Sequence, residues 1–199
     1  EHIMKRRAAT PEVYEQISAG LSHTEDVLER MTKDYVRTSE QAALVTPGNF
    51  DGGVSSVSEK ALGGIHKSGS CKFVGVVGYA EQPKGTGLYL MAAAGDDSDI
   101  ATSLVAGGAQ IIAFTTGRGT PTGFPGVPVL KITGNSKTYR NMEDDMDYNA
   151  GRVMDGEITL EQAGQEIYQE ILKIAGGKPT KAEVLGHDEL FSIGRYDCF

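Results

Sequence analysis

The chain has 199 residues, enough for one sizeable core. With 23% charged and 39% hydrophobic residues it has the composition of a folded, soluble protein. Its formal net charge of -8 argues against nucleic acid as the main partner, since phosphate binding needs Lys and Arg gathered on one face, but it leaves room for a local basic pocket that takes an anionic small molecule.

The opening residues through Arg7 are basic, but no apolar core follows, so they do not read as a signal peptide. No run is long enough to cross a bilayer. The chain does not begin with methionine, which fits a piece of a longer protein. Thr10 and Pro11 read as the N-cap and first position of a short helix closed by Gly20. Ser22 and Glu25 have capping-box spacing, and Val27, Met31 and Tyr35 recur every four residues as one helical face. Residues 1–45 are therefore expected to be a helical segment or a linker from an upstream domain, with residues 46–199 as an α/β domain.

Residues 46–53 are a dense loop. Ser56 and Glu59 form another capping box, and Val57, Ala61 and Ile65 are expected as the buried stripe of a helix that ends before Gly69. Apolar runs predict strands over 72–79, 87–93, 109–115 and 127–133. The third is continuously apolar, as central parallel strands are. Residues 95–99 read as a strand-end loop that caps a helix over about 100–106. Thr159 and Gln162 cap a long amphipathic helix with Leu160, Ala163, Ile167, Ile171 and Ile174 on its apolar face, stopped by Gly176 and Gly177. Residues 178–199 read as irregular.

Strands alternating with helices predict a layered α/β domain with a mostly parallel, Rossmann-like sheet and a helical N-terminal segment. Such sheets bind ligands outside the carboxyl ends of their strands. Residues 95–99 and 116–120 follow two successive strands, so a parallel arrangement would put both loops on that edge.

The segment from Thr115 to Thr120 is the sharpest local signal. Its glycines let backbone N–H groups converge, and Arg118 offers a two-pronged clamp for a carboxylate. The hydroxyls of Thr115, Thr116 and Thr120 suit sugar hydroxyls. A tight turn with Arg118 in a structural salt bridge is the plainer alternative and stays open. The segment lacks the Gly-Lys-Ser/Thr ending of a phosphate loop, and no G-x-G-x-x-G follows a first strand.

Asn49, Asp51, Glu59, Lys60 and Lys67 flank one short helix. Glu59 as its cap is one reading. Lys60 and Lys67 are seven apart and share a face; a desolvated lysine beside a cation can act as a base, whereas a solvated face is the alternative. Asp96, Asp97 and Asp99 stand where a helix begins, with one suited to capping it and another to a divalent metal or a hydroxyl. Residues 143–147 are a second acidic run, and Asp147 and Asn149 precede Gly151. His2, His23, His66 and His187 show no metal-ligand spacing, with His2 and His66 the better placed. Cys71 and Cys198 are too far apart for a redox pair or a zinc knuckle, which fits a reducing compartment.

In order and wording, several segments resemble the C-terminal domain of the altronate and D-galactarate dehydratases over most of the chain. They are Pro47-Gly48-Asn49 with Gly52-Gly53, Glu59-Lys60-Ala61-Leu62-Gly63, Lys67-Ser68-Gly69 and Gly107-Gly108. Phe114-Thr115-Thr116-Gly117-Arg118-Gly119-Thr120-Pro121, Pro128-Val129-Leu130-Lys131 and Met146-Asp147-Tyr148-Asn149-Ala150-Gly151 continue the pattern. The resemblance implies a cytoplasmic hydro-lyase that turns a small anionic sugar acid into a 2-keto-3-deoxy acid with a divalent metal, Fe2+ or Mn2+. It also implies N-terminal and middle domains in the same polypeptide, so that the 199 residues alone would have little or no activity.

Family motif positions carried onto this chain are Asn49, Glu59, Lys60, Lys67, Asp97, Thr116, Arg118, Asp147 and Asn149. Lys60, Lys67, Glu59 and Asp97 are the catalytic candidates. Asn49, Thr115, Thr116, Arg118, Thr120 and Asn149 are the substrate-binding candidates, and Asp97, Asp147 and His66 the metal candidates. Altronate-type members often have Cys where this chain has Gly64, yet the stretches Gly134-Asn135 and Tyr139-Arg140 resemble the altronate-type branch. A domain that only binds a sugar acid or holds an assembly together, a homo-oligomer, and a sulfolactate sulfo-lyase are kept as alternatives.

Overall fold

The computed structural model describes residues 2–20, 49, 54–93 and 97–188. The expected helix with Val27, Met31 and Tyr35, the loop residues around Asn49, Asp51, Asp96, His23, Cys198 and the last eleven residues lie outside the described residues. The chain divides between Ala93 and Ala94 into two compact units.

The first unit holds α1 (His2–Lys5), α2 (residues 11–20), α3 (Val57–Lys67), β1 (Phe73–Val77) and β2 (Leu88–Met91). The two strands run parallel, with Phe73 opposite Leu88 and Val77 opposite Met91. Phe73 is fully buried and packs with Val13 and Ile17 of α2, with Met4, Ala8 and Leu90 around them. The chain ahead of α2 is bound to β1: Phe73 N–H donates to the Arg7 carbonyl (2.7 Å) and Ala9 N–H to the Phe73 carbonyl (2.8 Å). The Arg7 guanidinium lies 4.4 Å from the Phe73 ring and donates to the Ser68 and Cys71 carbonyls.

Of the expected buried stripe of α3, neither member with a described side chain is buried. Ala61 is exposed and Ile65 only half-buried. Local bonds hold this helix instead: the Ser56 hydroxyl accepts from Glu59 N–H (3.2 Å), and the Glu59 carboxylate accepts from Ser55 N–H (2.7 Å) and the Ser55 hydroxyl (2.5 Å). With Gly63 and Gly64 at its middle, α3 has little side chain to bury.

The second unit contains α4 (Asp97–Ala106), β3 (Ile112–Thr116), β4 (Val129–Thr133), α5 (Ser136–Asn141), β5 (Tyr148–Asn149), a 3-10 turn (Ala150–Val153), α6 (Leu160–Ala175) and α7 (Lys181–Leu185). Its sheet has the order β3-β4-β5, all parallel, and β4 is buried along its whole length. Side chains alternate across the strand. Leu130 and Ile132 meet Tyr148 and Ile174 on the α6 face, while Val129 meets Ala101 and Ile112 on the α4 face. The fold is the mixed α/β arrangement with parallel sheets and N-terminal helices that the alternation of apolar runs predicts.

Boundaries differ in detail. The helix after residue 96 begins at Asp97 rather than near 100, because Asp97 and Asp99 both fit its first turn. Thr116 closes β3 rather than opening the loop. Leu160 is 71% exposed because it sits in the first turn of α6, ahead of Ala163, the first residue buried there. Residues 181–185 are helical, not irregular: Thr180 and Glu183 form a capping box, and Gly186 ends the helix at φ +71°. No helix of the described residues is long and apolar enough to cross a membrane.

Candidate functional site

Parallel register lines up the carboxyl ends of the second unit's strands. Thr116 is the partner of Thr133, and Thr133 of Asn149, so the three form one row across the sheet edge. α4 turns directly into β3 and packs along it through Ala101, Leu104 and Val105, so its Asp97 end lies on the same edge.

The loop after β3 is set by two contacts. Gly119 has φ +81°, and a Cβ there would lie 2.3 Å from Met142 Sδ, so only glycine fits. The Thr138 hydroxyl donates to the Gly117 carbonyl at 2.9 Å. Between these glycines Arg118 is exposed, and its guanidinium forms no hydrogen bond or ion pair among the described residues. The salt-bridge alternative for Arg118 thus finds no acceptor there. Thr120 is buried; its hydroxyl donates to the Thr122 hydroxyl (2.8 Å) and accepts from Thr122 N–H (3.2 Å), which engages it in the turn itself. Thr116 is half-buried, whereas Thr115, one residue earlier on the strand, is exposed on the opposite face.

Asn149 is placed by the next two elements. Its Nδ2 donates to Ser136 Oγ (3.1 Å), its Oδ1 accepts from Gly151 N–H (3.0 Å), and the Ser136 hydroxyl donates to Asp155 Oδ2 (2.5 Å). A Cβ at Gly151 would lie 2.4 Å from the Ser136 backbone nitrogen, so glycine permits this close approach. Sequence reasoning missed Ser136 and Asp155. The signal was there in Asn135, which follows a strand and caps α5 by accepting from Lys137 and Thr138 N–H. It also missed Lys131, fully buried in β4, whose ammonium donates to the Pro121 carbonyl (3.2 Å), which His187 Nδ1 also meets at 2.7 Å.

Asp147 has both carboxylate oxygens engaged by backbone: Oδ2 accepts from Lys131 N–H and Oδ1 from Lys181 N–H, each at 2.8 Å. Asp97 stands exposed at the start of α4, and His66 is exposed in the last turn of α3, in the other unit. Among the described residues no three His, Cys, Asp or Glu side chains converge.

The first unit carries its own group. Lys60 Nζ donates to Asn49 Oδ1 at 3.1 Å. Hydrogen bonds from the Ser55 hydroxyl and backbone hold the Glu59 carboxyl below its usual range. Lys67 is exposed at the end of α3. The structure thus places Thr116 and Asn149 in one strand-end row of the second unit, with Arg118 in the loop that follows Thr116, and joins Lys60 to Asn49 in the first, while Glu59 turns to Ser55.

A groove of about 450 Å³ lies between β5 and α6. Its charges are internally matched: the Tyr148 hydroxyl donates to Glu166 (2.8 Å), and Lys173 and Lys178 both pair with Glu170. The two lysines hold the Glu170 carboxyl below its usual range. The groove has no spare cation comparable to Arg118.

A profile described as D-galactarate/altronate dehydratase, C-terminal, matches residues 1–197. The chain belongs to that family. Among its relatives, the (2R)-sulfolactate sulfo-lyase subunit beta of Chromohalobacter salexigens is 33% identical over 198 residues, 99% of this chain and 50% of that protein. The galactarate dehydratase (L-threo-forming) of Escherichia coli is 36% identical over 177 residues, 89% of this chain and 33% of its own length. The altronate dehydratase of Bacillus subtilis is 31% identical over 191 residues, 96% of this chain and 37% of its own length. The chain therefore spans half or less of the length of these family members.

Proposed function

We propose that this chain is the C-terminal catalytic part of a cytoplasmic hydro-lyase that dehydrates a sugar acid, altronate-like or galactarate-like, to a 2-keto-3-deoxy acid. The observation that carries the reading is Arg118, an exposed guanidinium with no acceptor among the described residues. A glycine-bounded loop holds it at the carboxyl edge of a parallel sheet, beside Thr116 and Asn149.

Removing the α-proton of a sugar acid places negative charge beside an existing carboxylate. A guanidinium that grips both carboxylate oxygens binds the resulting enediolate more strongly than the ground state, because more charge then lies on those oxygens. The Thr116 hydroxyl and the Asn149 amide suit the substrate's hydroxyls. The β-hydroxyl takes up a proton and leaves as water as the C–O bond breaks, giving an enol that tautomerises to the keto acid. One lysine of Lys60 and Lys67 is proposed as the proton acceptor, from the family motif alone. A dependence on Fe2+ or Mn2+ is proposed from the family resemblance alone. It predicts loss of turnover on chelation and recovery with either ion.

A second reading is favoured by the extent of the sulfo-lyase match, which covers 99% of this chain. Sulfolactate, altronate and galactarate all carry a 2-hydroxyl beside the carboxylate and a leaving group at C3, so one clamp serves either elimination. The complete protein, offered aldonic acids, aldaric acids and (2R)-sulfolactate, should release a keto acid from one of the sugar acids. Release of sulfite from sulfolactate alone would select the second reading. Turnover of none of them, with either metal present, would remove both.

A further inference from the structure

Both chain neighbours of Arg118 rest on one short helix. The Thr138 hydroxyl of α5 donates to the Gly117 carbonyl at 2.9 Å. On the other side, Gly119 lies against Met142, the residue that caps α5. A Cβ on that glycine would come within 2.3 Å of Met142 Sδ and 3.1 Å of the Thr138 methyl carbon. The backbone that carries the guanidinium is therefore held from both sides by α5 and its cap.

The same helix holds Asn149. Ser136, the first residue of α5, is buried. A carboxylate only accepts, so the single proton of the Ser136 hydroxyl goes to Asp155 Oδ2 at 2.5 Å. Ser136 Oγ must then accept from Asn149 Nδ2 at 3.1 Å, which turns Asn149 Oδ1 to the Gly151 N–H at 3.0 Å. Ser136 Oγ also lies 3.2 Å from Asn149 Oδ1, but it has no second proton to give. That order of donors settles which way round the amide sits. The second N–H of Nδ2 has no partner among the described residues and suits a ligand oxygen.

α5 is itself fixed. Asn135 accepts from Lys137 and Thr138 N–H at its start, and the helix touches β4, β5 and the 3-10 turn. Ser136 and Thr138 are about 200° apart around the helix axis, so one reaches Asn149 and the other the Arg118 loop. Two groups that grip one small substrate must stand at the right separation, since a misplacement of about 1 Å can cost about a hundredfold in rate.

We propose that Ser136 and Thr138 are positioning residues of the elimination, which through α5 fix the Asn149 amide and the Arg118 guanidinium at one separation. The inference rests on Arg118 and Asn149 being substrate contacts. Its test is steady-state kinetics of the complete protein, with whichever of altronate, galactarate and (2R)-sulfolactate it consumes. Thr138→Val keeps the side-chain shape but loses the hydroxyl, and Ser136→Ala frees the amide. Each should lower kcat/KM about three- to tenfold. Thr138→Ser keeps the hydroxyl and should stay within about twofold of the unmodified enzyme. A group that acts through another loses its effect once that other is gone. Thr138→Val should therefore cost less than about twofold in an Arg118→Lys background, and Ser136→Ala less than about twofold in an Asn149→Ala background. Urea midpoints show which variants fold, and the shape-conserving Thr138→Val keeps the proposal testable if Ser136→Ala does not. A purely structural role would lower kcat/KM by the same factor in every background. That result for either folded variant, or no loss from either, overturns the proposal and leaves the clamp standing. Arg118→Lys and Asn149→Ala both without effect would overturn the clamp, and the proposal with it.

Discussion

At the scale of single residues, the clamp assigned to Arg118 depends on its planar fork. Lysine keeps the positive charge but cannot make two parallel bonds to a carboxylate. Loss of a charge-assisted hydrogen bond is worth roughly 1.5–3 kcal/mol. Arg118→Lys in the complete enzyme should therefore lower kcat/KM at least about tenfold with the fold intact by circular dichroism; an unchanged kcat/KM in a folded variant would sink the clamp. The loop that holds Arg118 makes a separate, structural prediction. Gly119→Ala must place a Cβ against Met142 at a φ that alanine resists, so it should destabilise by about 1–3 kcal/mol in urea unfolding. Tyr148 gives a third. Burial first, and the hydrogen bond to Glu166 second, push its phenol up to about 12 from an ordinary 10. The folded state then keeps a proton that the unfolded state loses. The stability tied to this group is fully present below pH 10 and declines as pH rises from 10 towards 12. In denaturant titrations across that window, Tyr148→Phe should decline less steeply than the unmodified protein.

At the scale of elements, Asp147 shows what the sequence made legible and what it hid. Its place in a motif made it a metal candidate, and its two oxygens staple β4 to the start of α7. Removing an acceptor that satisfies two backbone donors should cost about 2–4 kcal/mol. Asp147→Ala should lower the urea midpoint accordingly, and Asp147→Asn, which keeps one acceptor oxygen, should lower it less. Unchanged stability in both variants would show that the two bonds do not hold these elements together. The staple was illegible because Lys181 is 34 residues away and its contribution is a backbone N–H, which carries no residue signature. The four strands, the capping box of α6 and the Ser56 N-cap of α3 were legible because they rest on local periodicity and short-range bonds, although the Glu59 carboxylate reaches Ser55 N–H rather than closing a capping box on Ser56. The exposure of Ala61 in α3 and the brief β5 were not: periodicity marks a face without saying what covers it, and a two-residue strand has no period. At the candidate site, parallel register made the row of Thr116 and Asn149 foreseeable in kind. The Thr120 turn and the Ser136–Asp155 contact depend on side-chain directions that no spacing rule supplies.

At the scale of the whole molecule, the candidate groups are divided. Asn49, Glu59 and Lys60 belong to the first unit, and Thr116, Arg118 and Asn149 to the second, each held by its own local bonds. No three His, Cys, Asp or Glu side chains converge among the described residues of either unit. The family members that match this chain are two to three times as long in proportion, with the chain spanning 50%, 33% and 37% of them. If the elimination draws on groups from that additional length, these 199 residues will bind a sugar acid without turning it over. The prediction is that the isolated chain, supplied with Fe2+ or Mn2+, shows little or no dehydratase activity on altronate or galactarate. It should nonetheless bind the substrate carboxylate in a calorimetric titration, with affinity weakened by Arg118→Lys. Turnover by the isolated chain at the rate of the complete protein would show instead that the residues present here are sufficient.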